Sequence, residues 1–131
     1  MKWFINAIKK YATFNGRARR KEYWNFYLFM IISLVVVSIM DFILGTYIIS
    51  IPYPVVGEII RSGIGILYTL SSLFFIIPTL AVSVRRLHDV GKSGAYLFVQ
   101  LIPVVGAIWF LILLCTDSDL GVNRYGESPK A

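Results

Sequence analysis

The chain has 131 residues, of which 57% are hydrophobic and only 15% charged, and its formal net charge is +6. A typical globular protein carries about 25% charged residues, and a soluble domain of this length cannot bury so much apolar surface. These numbers exclude an ordinary soluble domain and predict a single integral membrane domain.

The first predicted element is a short amphipathic helix over about residues 3–14. Phe4 and Ile8 share one helical face with other apolar side chains, while the lysines lie elsewhere. An apolar face flanked by lysines is typical of a helix that lies in the membrane interface. The Asn-Gly pair at residues 15–16 is a turn signal that ends this element.

Three apolar segments follow, and each is long enough to cross a bilayer. They lie at about residues 23–48, 64–84 and 95–116, and a spanning helix needs about 20 apolar residues. The sequence therefore predicts an all-α membrane protein, with three transmembrane helices preceded by the short interfacial helix. A polar tail over residues 117–131 completes the chain.

Asp41 is the one charged residue well inside the first apolar segment, and two roles fit it. A carboxylate within the membrane can serve a proton or ion relay. If the helix enters the membrane near Glu22, however, Asp41 falls about 28 Å further along, close to the far interface. We therefore expect an anchor at the membrane exit that could pair with Arg61, in a loop where two prolines prevent regular helix.

The third apolar segment contains helix-breaking residues, and two structures fit it. Gln100, Pro103 and Gly106 lie near its middle. Membranes tolerate a spanning helix with a proline kink, and this is the structure that we expect. The alternative is a re-entrant hairpin that turns between Pro103 and Gly106 and returns the tail to the cytoplasm.

Positive charge is concentrated in two regions of the sequence. The segment before the first apolar run and the loop after the second run hold ten Lys or Arg residues, against three elsewhere. The positive-inside rule therefore places the N-terminus in the cytoplasm. With three crossings, the C-terminus would lie outside.

Two polar motifs should meet on that cytoplasmic face: FNGRARRKEYW at residues 14–24 and RRLHDVGKSG at residues 85–94. Their arginines could reach anionic headgroups, or they could pair with the two carboxylates of these motifs and lock the helices together. The candidate binding or locking residues are Arg17, Arg19, Arg20, Glu22, Trp24, Arg85, Arg86, His88, Asp89 and Lys92.

Catalysis is not expected from these motifs. His88 and Asp89 are neighbours in sequence, and adjacent side chains on a helix do not face each other. One histidine cannot form a metal site without several carboxylates, and the single cysteine, Cys115, excludes cysteine-based metal sites and intrachain disulfides. We expect no cofactor, and no nucleic-acid motif accompanies the basic composition.

Four motifs together indicate a family. FNGRARRKEYW, RRLHDVGKSG, LIPVVGAIW and GVNRYGESP, at compatible spacings over about residues 11–129, resemble the domain of unknown function 805 family of small bacterial inner-membrane proteins. Members of that family often have Trp after the Ser-Gly of the second motif, where this chain has Ala95-Tyr96. The resemblance implies a multi-pass inner-membrane protein and carries no known reaction, substrate or cofactor.

The resemblance also draws attention to the tail motif that contains Asn123, Arg124 and Tyr125. A tail with so recognisable a motif implies that it packs onto a loop or interface and is not a disordered end. If it packs against RRLHD, the C-terminus must be cytoplasmic and the re-entrant alternative for the third segment is favoured.

From these observations we predict a non-enzymatic membrane module. Its cytoplasmic arginine face would bind anionic lipid or a partner membrane protein, or would support self-association. The alternative is a subunit of a transporter or channel. Such a transporter or channel would have to be an oligomer, because three helices of this length cannot readily enclose a pore alone.

Overall fold

The computed structural model describes residues 9–55 and 58–129, without the side chains of residues 49–62. Two compact units divide these residues. We call residues 28–76 the hairpin unit, and residues 9–27 with 77–129 the polar-end unit. In chain order the elements are α1 (Arg20–Leu44), β1 (Tyr47–Val55), β2 (Glu58–Gly65), α2 (Ile66–Asp89), a 3-10 helix (Gly94–Leu101) and α3 (Val105–Cys115).

Within the described chain, α1 and α2 are the two helices long and apolar enough to cross a membrane. They contain 25 and 24 residues, or about 36 Å of helix each, against a hydrocarbon core of about 30 Å. In the most apolar 18-residue stretch of each helix, only 11% of the residues of α1 and 22% of those of α2 are buried. Their exposed apolar side chains therefore require lipid or another protein as cover. The protein is mostly helical, as expected.

Both helices have different ends from those predicted. Helix α1 stops at Leu44, where Gly45 adopts a φ of 66°. Helix α2 continues to Asp89 and includes the RRLHD residues that we had placed in a loop. Gly91, with a φ of 69°, closes α2 in a Schellman-type turn, because the Lys92 N–H donates to the carbonyl of Leu87 at 2.9 Å.

A β-hairpin occupies the loop between the two helices. Strands β1 and β2 pair antiparallel, from Tyr47 opposite Gly65 to Val55 opposite Glu58. The prolines excluded helix, as expected, but we did not predict strands. Isoleucine and valine favour extended backbone, and a two-stranded sheet tolerates proline on its unpaired edges.

Asp41 has a different role in the hairpin unit from the one we expected. Its buried carboxylate accepts hydrogen bonds from the backbone N–H groups of Leu67 (3.1 Å) and Tyr68 (2.8 Å) and from the Thr46 hydroxyl. These N–H groups belong to the first turn of α2, which has no intrahelical acceptors for them. Asp41 is therefore a cap supplied to α2 by α1, and the side chain of Arg61 lies outside the described residues.

The expected continuous helix over residues 95–116 is not found, and three transmembrane helices are not confirmed. A γ-turn breaks the segment, because Val104 adopts a φ of 62° and the Val105 N–H donates to the Pro103 carbonyl at 2.7 Å. Helix α3 has 11 residues, or about 16 Å, which is too short to span. Gly106 permits the close approach of α3 to the 3-10 helix, since a Cβ there would overlap the Val99 carbonyl.

The interfacial helix predicted for residues 3–14 lies largely outside the described residues. The described chain begins with helical Lys9 and continues into a turn, in which the Thr13 N–H donates to the Lys10 carbonyl at 3.1 Å.

The core of the polar-end unit combines apolar side chains with buried charge. Its buried apolar residues come from the beginning of α1 and the residues just before it, the end of α2 and the residue after it, and one face of α3. They are Ala18, Tyr23, Phe26, Ala81, Val82, Leu87, Val90, Phe110, Leu113 and Leu114.

Candidate functional site

Asp89, the last residue of α2, is the centre of the polar-end unit. Its carboxylate is 0% exposed and accepts hydrogen bonds from Arg17 Nε at 3.0 Å and Arg86 Nη1 at 2.5 Å. The Ser118 hydroxyl is a third donor, at 2.5 Å. We call Arg17, Arg86, Asp89 and Ser118 the Asp89 cluster. Two guanidinium groups and one hydroxyl thus satisfy a carboxylate that would otherwise be costly to bury.

Arg17 also binds the polar tail. Its Nη1 donates to the carbonyls of Gly121 (2.8 Å) and Gly126 (3.3 Å), and its Nη2 donates to the carbonyl of Asp119 (2.6 Å). These partners lie more than a hundred positions further along the chain. The flat guanidinium presents its donors in a fixed fork, so a single side chain can hold several tail carbonyls together.

Arg86 binds the end of α3 in the same manner. Its Nε donates to the Leu114 carbonyl at 3.0 Å, and its Nη2 donates to the Thr116 carbonyl. The last carbonyls of a helix have no intrahelical donors and carry partial negative charge, so a buried arginine stabilises them. The end of α3 is thereby fixed to the end of α2.

A second buried ion pair joins α2 to the beginning of α1. Arg85 Nη1 lies 2.8 Å from Glu22 Oε1, and the Arg85 side chain is 1% exposed. The Ala18 N–H donates to the Arg85 carbonyl at 3.0 Å. Arg85 Nε and Nη2 have no hydrogen-bond partner among the described residues. This arginine therefore uses much less of its hydrogen-bonding capacity than Arg17 does.

His88 and Asp89 have separate partners. The His88 Nδ1 lies 3.2 Å from the Gly16 carbonyl, and its ring stacks on Tyr125 with centroids 3.8 Å apart and planes at 4°. Arg124 lies over the Tyr125 ring, with its guanidinium carbon 4.8 Å from the centroid. His88 is therefore held in a ring stack rather than oriented by the adjacent carboxylate.

The tail motif packs onto the end of α2. Asn123 Nδ2 donates to the His88 carbonyl at 3.0 Å, and Asn123 Oδ1 accepts the N–H of Tyr125 at 2.9 Å. Arg124 Nη2 donates to the Gly91 carbonyl at 3.2 Å. The tail motif and the RRLHD residues thus form one structure, the condition under which the sequence favoured a re-entrant third segment.

A cavity of about 760 Å³ opens at the surface of the polar-end unit. Two of its cations are Arg20 and Lys21, at the beginning of α1. Arg20 Nη1 donates to the Cys115 carbonyl at 3.2 Å, and Arg20 Nη2 pairs with Asp117 at 3.0 Å. The lining residues are Arg19, Arg20, Lys21, Trp24, Asn25 and Cys115.

Among the side chains that the structure describes, no three or more His, Cys, Asp or Glu residues lie together in a group that could hold a metal ion.

Comparison with protein families gives a match over nearly the whole chain. The family model described as Protein of unknown function (DUF805) matches residues 11–127. The chain belongs to this family. The resemblance inferred from the four sequence motifs is therefore confirmed.

Two relatives in Escherichia coli K12 match almost end to end. Inner membrane protein YhaI is 37% identical over 130 residues, which cover 99% of this chain and 97% of YhaI. Inner membrane protein YhaH is also 37% identical over 130 residues, covering 99% of this chain and 98% of YhaH. No solved structure matches the chain. The DUF805 description assigns no reaction, and both relatives are named as inner-membrane proteins.

In this DUF805 chain the candidate residues divide into two groups. The first group is buried and bonded within the polar-end unit, and the second lies at least partly at its surface. The buried residues are Arg17, Glu22, Arg85, Arg86, His88 and Asp89, and the surface residues are Arg19, Arg20, Trp24 and Lys92.

Several partners in the Asp89 cluster and its surroundings were not predicted from the sequence. Ser118 is an ordinary serine in a polar tail, and no pattern marks it. The carbonyls of Asp119, Gly121 and Gly126 belong to the backbone, so composition cannot reveal them. The recognisable GVNRYG motif was the available signal, and it indicated a packed tail with RRLHD as its candidate partner, but it gave no indication of Arg17.

Proposed function

We propose that this protein is a non-enzymatic inner-membrane module whose cationic end binds anionic lipid headgroups. The supporting observation is the charge that remains after internal pairing has buried Arg17, Arg85 and Arg86. In the described polar-end unit, seven cations are exposed or half-exposed, against three carboxylates. The cations are Lys9, Lys10, Arg19, Arg20, Lys21, Lys92 and Arg124, and the carboxylates are Asp117, Asp119 and Glu127.

Two crossings would bring this cationic end to the cytoplasmic leaflet. Helices α1 and α2 have the length to span, whereas α3 does not. Because Arg17 is bonded to the tail carbonyls, the segments before α1 and after α3 would share one side. The positive-inside rule assigns that side to the cytoplasm, where anionic lipids attract clustered Lys and Arg. The names of YhaI and YhaH support the inner membrane as the location of such a module.

Ser72 and Gln100, two polar residues of the second and third apolar segments, lend no support to the alternative of an oligomeric transporter or channel. The Ser72 hydroxyl donates to the Thr69 carbonyl at 2.8 Å, and Gln100 Nε2 donates to the Leu97 carbonyl at 3.4 Å. Both side chains thus bond to the backbone of their own helices.

The proposal is tested in nanodiscs that contain phosphatidylglycerol and phosphatidylcholine. We expect enrichment of phosphatidylglycerol around the protein, measured by mass spectrometry of the co-purified lipid. The quadruple variant Lys9→Gln, Lys10→Gln, Lys21→Gln, Lys92→Gln should lose most of this enrichment, because each cation near the surface contributes about 1 kcal/mol of attraction.

The matched control is the double variant Asp119→Asn, Glu127→Gln, which should keep or increase the enrichment. An unchanged lipid preference in the folded quadruple variant would reject the proposal. If the same variant instead lost a co-purifying membrane protein, the cationic end would be a protein-binding surface.

A further inference from the structure

We infer that the cavity beside α1 is a binding site for one anionic glycerophospholipid, with the headgroup phosphodiester held by Arg20 and Lys21. The inference rests on the proposed function and assigns it a specific place. General attraction to an anionic surface needs only net charge, whereas this cavity predicts a single saturable site.

Three cationic side chains at the cavity provide hydrogen-bond donors for an anion. Arg19, Arg20 and Lys21 are consecutive and stand at the N-terminus of α1, where the helix dipole adds positive potential. Lys21 is exposed and makes no ion pair with any described residue. A phosphodiester offers the negative charge and the acceptor oxygens that such a group of donors requires.

Trp24 places the cavity at the depth of lipid headgroups. It follows Lys21 by one helical turn, lines the cavity and remains 40% exposed. Tryptophan is enriched at membrane interfaces because its ring is apolar and its N–H is polar. The Trp24 N–H makes no hydrogen bond to a described residue, which leaves a donor for the glycerol or headgroup oxygens.

An apolar path for the acyl chains begins at the cavity wall. Cys115 lines the cavity at the end of α3, and Ile112, Leu111 and Ile108 precede it by three, four and seven residues. This spacing places all four on one helical face. The three apolar side chains are each more than half exposed. A free phosphate would leave this face without an occupant, so a lipid fits the cavity better.

Asp117 acts as an internal competitor for the site. Its carboxylate pairs with Arg20 at 3.0 Å, and the two side chains are 58% and 43% exposed. Exposed ion pairs contribute little net free energy. A phosphodiester can therefore replace the carboxylate on Arg20 at small cost. Removing the Asp117 charge should strengthen lipid binding, an effect that a purely structural role for this residue would not produce.

The test is a titration of the full chain in neutral detergent with short-chain phosphatidylglycerol, followed by native mass spectrometry. We expect one saturable lipid per chain, with weaker binding of phosphatidylcholine. Lys21→Glu should weaken phosphatidylglycerol binding by at least about fivefold, the effect of one surface cation. Asp117→Asn should strengthen it, and it preserves the Oδ1 atom that accepts the Ser118 N–H.

The matched controls are Lys10→Glu, which makes the same charge change away from the cavity, and Glu127→Gln, which removes a different tail carboxylate. Neither should alter the affinity for phosphatidylglycerol by more than about twofold. Glycerol phosphate serves as the soluble probe, and it should bind far more weakly than the lipid.

Three results would overturn the inference. Equal losses in Lys21→Glu and Lys10→Glu would mean diffuse attraction, which leaves the proposed function intact. Glycerol phosphate binding as tightly as the lipid would mean a soluble phosphate ligand. The absence of any preference for phosphatidylglycerol over phosphatidylcholine, in detergent and in nanodiscs, would reject the proposed function as well.

Discussion

The buried arginines of this protein differ in how many of their side-chain nitrogens donate hydrogen bonds. Arg17 donates from all three of its nitrogens, to Asp89 and to tail carbonyls. Arg85 donates from one nitrogen to Glu22, and its other two have no partner among the described residues. Burying a charge is costly unless its donors are satisfied, so the two positions should respond differently to lysine.

Arg17→Lys should therefore lower the free energy of unfolding by about 2 kcal/mol or more, because a single ammonium cannot replace the fork. Arg85→Lys should change it by less than about 1 kcal/mol, since one donor suffices for Glu22 and the two buried nitrogens without partners are removed. Thermal unfolding in detergent measures both, with each variant compared to the unsubstituted chain. Equal destabilisation by the two substitutions would contradict this assignment.

At the residue scale, the sequence predicted the participants of the site better than their roles. It brought together the arginines, Glu22, Asp89 and His88, and it offered headgroup contact or internal pairing as roles. The structure shows internal pairing for Arg17, Arg85 and Arg86. Arg17 and Arg86 donate to backbone carbonyls far along the chain, and Arg85 pairs with Glu22, 63 residues earlier. Such long-range partners leave no periodic pattern in a sequence.

At the scale of elements, the apolar runs predicted α1 and α2 but not the break in the third segment. Composition is uniform across residues 95–116, so hydropathy alone gives one span. Pro103 and Gly106 mark the break, yet both are tolerated within membrane helices. What decides the structure is a contact, because Gly106 lets α3 approach the Val99 carbonyl. Single-residue close contacts of this kind are visible only in three dimensions.

Asp41 and Gly65 lie in close contact at the start of α2. A Cβ on Gly65 would overlap the Asp41 carboxylate, so Gly65→Ala should displace the cap. Asp41→Ala leaves the N–H groups of Leu67 and Tyr68 without their acceptor, at a cost of about 1–2 kcal/mol.

The double variant should be little worse than either single variant, because both substitutions remove the same interaction. A double-mutant cycle on the free energy of unfolding measures this, with Asp41→Asn as the control that retains an acceptor oxygen. Strictly additive losses would show that Gly65 acts independently of the cap.

At the scale of the whole molecule, the side of the membrane on which the tail lies distinguishes two crossings from three. The bonds from Arg17 to tail carbonyls and the shortness of α3 both favour two crossings. Three crossings, the expectation from sequence, would place the tail on the opposite side from Arg17.

Cysteine labelling decides between these topologies. In a Cys115→Ser background, Ser128→Cys should resist a membrane-impermeant maleimide in intact spheroplasts and react after permeabilisation. Glu58→Cys, in the hairpin, should react in both conditions. Labelling of residue 128 before permeabilisation would contradict two crossings.

The Asp89 cluster also constrains how the protein is made. Arg17 is synthesised early, but its carbonyl partners lie 102 to 109 residues later. At about 5–20 residues per second, many seconds separate the arginine from those partners. Until residue 89 is made, Arg17 lacks the Asp89 carboxylate, and until residue 119 is made it lacks the tail carbonyls, so its guanidinium must remain hydrated. The polar-end unit therefore assembles after both long helices have been synthesised. A ribosome stalled before residue 119 leaves a chain in which Arg17 has no tail carbonyls to bind.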